Sequence, residues 1–221
     1  VQDHDDFDFE DQPGIPAPLP PGEHIVWQGK PDKWELAKNA FHVRKIMIYF
    51  LVILGVQIIS GLSASDTATS AGVSLPMTIA LSVAGILILG VLAWATAHVT
   101  IYTVTNRRIL IRFGVALQMT INLPFAQIKA ADMRVDTNGF GDIPLVLKDT
   151  RRVNYLVLWP HVRPWCFSQP QPMLRSIPNV EQVARIVGSM AAEISDTTTD
   201  QKHARIDKPL KEASLMQSEA L

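Results

Sequence analysis

Two long apolar runs without a single charge stand close together in this chain, and they constrain its fold more than any other feature. The first extends from Ile46 to Leu62, with Gln57 and Ser60 as its only strongly polar members, and the second from Leu75 to Ala97. A helix rises about 1.5 Å per residue, so about 20 apolar residues cross a hydrocarbon core of about 30 Å. The second run meets that length easily and the first lies at the short end of the range. The pattern predicts a transmembrane hairpin over 46–98, with helices over 46–62 and 75–98. A buried helix pair of a soluble protein is the competing reading. The connection from Ser63 to Ser74 is small and polar, with Asp66 and no Lys or Arg. Lys38, Arg44 and Lys45 precede the first run, and Arg107, Arg108 and Arg112 follow the second. Positive residues are retained on the cytoplasmic side, so both termini are expected there, in a multi-pass protein.

Averages conceal this layout. Apolar residues make up 48% of the 221 and charged residues 19%, ordinary figures for a soluble protein, because the charges all lie outside the two runs. A formal net charge of −1 gives no reason to expect nucleic-acid binding. The single cysteine, Cys166, excludes an internal disulfide and a cysteine-based zinc site. The opening residues (Asp3, Asp5, Asp6, Asp8, Glu10, Asp11, with Phe7 and Phe9 among them) are acidic where a secretory signal would be positive. They read as a solvated tail or an acidic-aromatic docking peptide. Five prolines from Pro13 to Pro21 predict an extended, polyproline-like stretch. Residues 1–31 thus form an acidic, proline-rich N-terminal segment. Residues 32–45 mix Trp34, Leu36, Phe41 and Val43 with charges, and read as an interfacial helix with Trp34 and Phe41 in the headgroups, or as a linker that becomes helical only near the bilayer.

After the hairpin the texture changes. Alternating and β-branched runs occupy Thr100–Thr105, Arg108–Phe113, Ala116–Leu123, Ile128–Val135, Ile143–Lys148 and Tyr155–Trp159, separated by Asn106, Gly114 and Pro124. Asn138 to Asp142, with Gly139 and Gly141, reads as a hairpin tip. Asn179–Ile194 reads as one amphipathic helix, with Val180, Val183, Ile186, Val187 and Met190 on a face. The expected fold class is an α+β membrane protein. The hairpin is followed over 99–195 by an antiparallel β-barrel or sandwich, capped by a C-terminal helix in the pleckstrin-homology-like (PH-like) manner. Residues 196–221 are polar, unpatterned and expected to be disordered.

Gly22-Glu23, then Ile25 to Pro31, then the hairpin, then Tyr102-Thr-Val-Thr-Asn-Arg-Arg108, resembles bacterial PH-like membrane proteins. The acidic start, Ala40 to Lys45, and the run Leu158-Trp-Pro-His-Val-Arg-Pro-Trp165 resemble, more narrowly, the photosynthetic-complex assembly proteins of purple bacteria. The likeness spans roughly residues 3 to 192. It implies a bacterial inner (intracytoplasmic) membrane location. It also implies transient contact with light-harvesting 1 or reaction-centre polypeptides. The alternative is a general lipid- or peptide-binding PH-like module unrelated to photosynthesis; a stable structural subunit is a third reading.

Candidate site residues follow. Trp159, His161, Arg163 and Trp165 lie in a proline-stiffened loop of residue types common at binding hot spots, and are expected to touch a client polypeptide. Packing on the domain's own core competes with that. Arg44, Lys45, Arg107, Arg108 and Arg112 are expected to meet lipid headgroups or to act as the positive-inside anchor. His98 stands at a helix end, where a histidine can ligate bacteriochlorophyll. Antenna polypeptides keep a small Ala four residues earlier, and Trp94 occupies that position here. His98 and His42 are therefore read as interfacial. Gly55, Ser60 and Gly61 with Ala84 and Gly85 are small enough for close helix approach, within the hairpin or to a client helix. The apolar runs hold no acid or base, and no phosphate loop, His-x-x-x-His pair or nucleophile elbow occurs. The expectation is a non-enzyme without cofactor or metal, binding lipids and polypeptides, with a second copy of itself as a further candidate partner.

Overall fold

The computed structural model describes residues 14–15, 17–63, 74–136, 138–149 and 154–194. The acidic start, the tip of the hairpin with Asp66, and the tail expected to be disordered lie outside the described residues.

A first antiparallel sheet runs in the order β1 (Ile25–Gly29), β2 (Ile101–Thr105), β3 (Arg108–Phe113), β4 (Met119–Pro124). In the second, β7 (Gly141–Leu147) pairs with β5 (Ile128–Ala131), β6 (Arg134–Val135) and β8 (Met173–Ile177), all antiparallel. The expected hairpin tip joins β6 to β7: Asp136 N–H donates to Phe140 O at 2.7 Å, and Gly139 supplies φ +76°. The sheets enclose a core of Tyr102, Val104, Ile109, Ile111, Ile143, Leu145 and others. Helix α5 (180–194) closes it with Val180, Val183 and Val187.

Three expectations change. Strand β1, placed by sequence in the N-terminal segment, is an edge of the first sheet: Gln28 pairs with Thr103 and Gly29 with Tyr102, across the whole hairpin. The sequence reading placed no strand there, because the partner lies beyond the whole hairpin. Tyr155–Leu158 is a helical turn, α4, rather than a strand, because the Asn154 side chain accepts from Leu156 N–H at 3.0 Å and caps it. Strand β8 had no counterpart in the sequence reading.

Ahead of the hairpin, Asp32 caps α1 (Lys33–Asn39), accepting from Trp34 N–H at 2.9 Å and Glu35 N–H at 3.0 Å. His42 at φ 53° then breaks the chain before α2 (Val43–Ser63). The expected interfacial helix is thus a short helix and a turn. Phe41, expected in the headgroups, is 5% exposed and packs with Leu36 against Ala93 and Ala97 of α3 (Leu75–Val99). Those two alanines stand four apart and leave a shallow seat on one helix face. Trp34 stays 69% exposed.

Helices α2 and α3 pack together through Phe50 against Gly85 and a hydrogen bond from Gln57 Nε2 to Thr78 Oγ1 at 2.9 Å. Both are long and apolar enough to cross a membrane. Large apolar side chains such as Leu51, Ile59, Leu62, Leu87 and Ile88 are exposed around them. A water-soluble helix buries such a stripe, and these helices leave theirs open.

Candidate functional site

The Trp-Pro loop divides into a buried half and an exposed half. Its Trp159–Pro160 peptide is cis, and beyond it His161 is fully buried. His161 Nε2 lies 3.1 Å from Thr100 Oγ1, and Nδ1 lies 2.8 Å from Tyr102 OH. Thr100 donates its own hydroxyl proton to Thr96 O at 2.7 Å, and Arg175 N–H donates to Tyr102 OH at 3.1 Å. Burial, then the charge of Arg175, lowers the His161 pKa to about 3, and burial pushes the Tyr102 phenol up. His161 therefore reaches no partner. It is a bracket between the last turn of α3, strand β2 and the loop, which corrects its expected role.

The other three loop residues are at the surface. Trp165 is 85% exposed; Phe167 is exposed beside it, with ring centroids 6.3 Å apart, and leans on Tyr155 at 4.5 Å. Trp159 is half exposed and meets Phe41 edge-on at 5.3 Å. Arg163 reaches Asp132 Oδ2 at 3.3 Å and Gln171 Oε1 at 3.1 Å. Below this ridge opens a groove of about 850 Å³, walled by the α1–α2 junction, β6, β7 and β8. Arg175, absent from the sequence reading, forms part of its wall. Its Nη1 donates to Pro160 O at 2.9 Å and its Nη2 to Asn39 O at 3.2 Å, so it ties the loop to the end of α1. A lone charged residue in the strand Met-Leu-Arg-Ser-Ile was the available hint.

The expected lipid-facing arginines separate. Arg44 and Lys45 are exposed in the first turn of α2. Arg107 and Arg108 lie past the far end of β2, five residues of strand and roughly 16 Å from the end of α3. Arg108 Nε is held by Glu23 Oε1 at 2.7 Å. Arg112 pairs across from Ile101 but is 8% exposed and bonded to Gln118. Arg107 is exposed, Arg108 is tied to Glu23 and Arg112 to Gln118, and β2 carries the first two away from the hairpin. His98 is exposed at the end of α3, with the Trp94 indole stacked on it at 5.6 Å and 14°. Of the small helix residues, Gly85 packs within the hairpin, whereas a Cβ added at Gly55 or Gly61 would meet nothing within 4 Å.

A family model described as the bacterial PH domain matches residues 48–191, from within α2 to the last helix. A protein of Rhodobacter capsulatus, described as an uncharacterized 23.7 kDa protein in the puhA 5′ region, is 43% identical over 194 residues, covering 86% of this chain and 89% of that protein. No solved structure matches.

Proposed function

The chain belongs to the bacterial PH domain family, and from that premise we propose that it is a PuhB-type assembly factor for the photosynthetic reaction centre and its light-harvesting 1 antenna. PH-like domains are generally binding modules rather than catalysts, and we read this one as a non-enzyme. The gene neighbourhood in the similar protein's description supports a photosynthetic setting. The observation that carries a client-binding role is the ridge of Trp165, Phe167 and Arg163, exposed aromatic and cationic groups beside a groove that begins where the apolar helices begin. Large exposed aromatics next to Arg are costly to leave in water and common at hot spots.

In this reading the hairpin crosses the inner membrane and touches client helices, while the domain holds their cytoplasmic ends. Strand β1 precedes the hairpin and β2 follows it, and their pairing supports both flanks lying on one side.

The test is affinity purification of the tagged protein from gently solubilised membranes of phototrophically growing cells, with peptide identification and an absorption spectrum. Antenna or reaction-centre polypeptides at low occupancy, absent from a tag-only control, are expected. Trp165→Ala with Arg163→Ala should reduce that recovery several-fold while the thermal melt is unchanged. Stoichiometric retention in the mature complex would instead mark a structural subunit. A clean preparation from cells actively making complexes would leave the general lipid- or peptide-binding module.

A further inference from the structure

The groove carries more positive charge than its own contacts use. Lys38, Lys45, Arg134, Arg163 and Arg175 line it, with Asp132 and Asp142 as its acids. Lys38 is taken by Glu35 at 2.7 Å and Arg163 by Asp132 at 3.3 Å. Asp142 accepts from Ser176 N–H at 2.9 Å. Among the described residues, Lys45 and Arg134 have no ion-pair partner. Arg175 is 5% exposed, yet its Nε–H has no hydrogen-bond partner. Burial presses most against its charge; Asp142 and then Tyr102 offset part of that, and Arg134 adds a smaller push in the same direction as burial. A buried guanidinium with an orphaned donor, in the same groove wall as a second arginine and a lysine that have no ion-pair partner, is stabilised when an anion completes it.

Two further features identify the anion. His42 and Lys45 line the groove immediately before the uncharged run that starts at Ile46, so it opens at the depth of a bilayer's phosphates. Met133 and Trp165, 47% and 85% exposed, line the same groove and give it an apolar rim. A charged floor with an apolar rim suits an amphiphile, and a free phosphate would leave the rim unused.

We propose that the groove binds an anionic phospholipid, its phosphate held by Arg175, Arg134 and Lys45 and its apolar body against Met133 and Trp165. The proposal rests on the reading that the hairpin crosses the bilayer. The lipid then clamps the α1–α2 junction to the second sheet and sets the domain's height above the membrane.

The full chain, delipidated in detergent, is titrated with phosphatidylglycerol or phosphatidylcholine and followed by native mass spectrometry. Phosphatidylglycerol is expected to bind at about tenfold lower concentration, a preference that Lys45→Glu with Arg134→Glu abolishes. Both side chains are exposed, but Arg134→Glu faces Asp142 across the β6–β7 pair, so Lys45→Gln with Arg134→Gln is run beside it and should lose the preference with an unmoved thermal melt in the absence of lipid. Equal binding of the two lipids, or an undiminished preference in the double variant, overturns the site. So does thermal protection by inorganic phosphate that phosphatidylglycerol does not exceed. Alkaline carbonate extraction separates the two readings. The wild type and the double variant should both stay with the membranes, and release of the wild type would overturn the hairpin instead.

Discussion

The contacts of His161 dictate where its proton sits. Thr100 has given its own proton to Thr96 O, so it accepts Nε2–H, and Nδ1 is left to accept from Tyr102. A second proton at Nδ1 would leave the Tyr102 hydroxyl hydrogen with no acceptor. The folded pKa of about 3 lies below the ordinary 6.5, so the unfolded chain binds more protons on acidification. The contribution is complete above pH 6.5 and is lost as pH falls toward 3, at up to about 1.4 kcal/mol per unit. The unfolding midpoint in detergent should fall between pH 7 and pH 5, and His161→Gln should flatten that slope; equal slopes would dismiss the idea. Tyr102→Phe, which orphans His161 Nδ1 and the Arg175 N–H together, should cost about 2 kcal/mol by denaturant titration. None of this was legible in the Trp-Pro-His-Val-Arg-Pro-Trp run. Prolines and tryptophans announce a stiff loop there, but which side chain turns inward depends on Thr100 and Tyr102, some sixty residues earlier in the chain.

At the scale of elements, the strands that could be read were those whose turn chemistry lies beside them, as with Asn106 between β2 and β3 and Gly139 between β6 and β7. Strand β8 is buried along its whole length and shows no alternation. Tyr155–Leu158 has strand-like residues, but four of them after a capping Asn suffice for a helical turn. Strand β1 depends on anchors outside itself. The Glu23 side chain, 2% exposed, accepts from Arg108 Nε at 2.7 Å and from Thr105 Oγ1 at 2.8 Å. Glu23→Ala leaves the Arg108 charge half-buried without its partner, and should cost about 3 kcal/mol, with amide exchange accelerated first in β1. Unchanged exchange there would mean that the ladder alone holds the strand. A fragment of residues 99–194 lacks β1 and α1, and it should fail to give the cooperative unfolding of the full chain.

For the whole molecule, the layout of two apolar helices and a β-rich domain was legible because each leaves a local signature of charge and period. The groove was not, because its wall comes from five separated stretches: 38–45, 132–134, 142–144, 163–165 and 173–175. Only the fold brings them together. The proposed topology can be checked with one natural thiol and one introduced one. Cys166, in the loop of the domain, should resist a membrane-impermeant reagent on intact cells and react in inverted vesicles. Ser74→Cys in a Cys166→Ser background should do the reverse, and matched labelling of the two would refute a hairpin. The pairing of β1 with β2 also imposes an order on biosynthesis. The first strand leaves the ribosome well before its partner, and two long apolar helices must be made and turned back before the pair can meet. On the proposed topology, a hairpin that inserts only one of its helices leaves β1 and β2 on opposite sides of the membrane, and the sheet cannot close. Such a half-inserted chain keeps an open strand edge for proteases and chaperones to find, so in that topology a closed sheet reports that both helices have crossed and turned back.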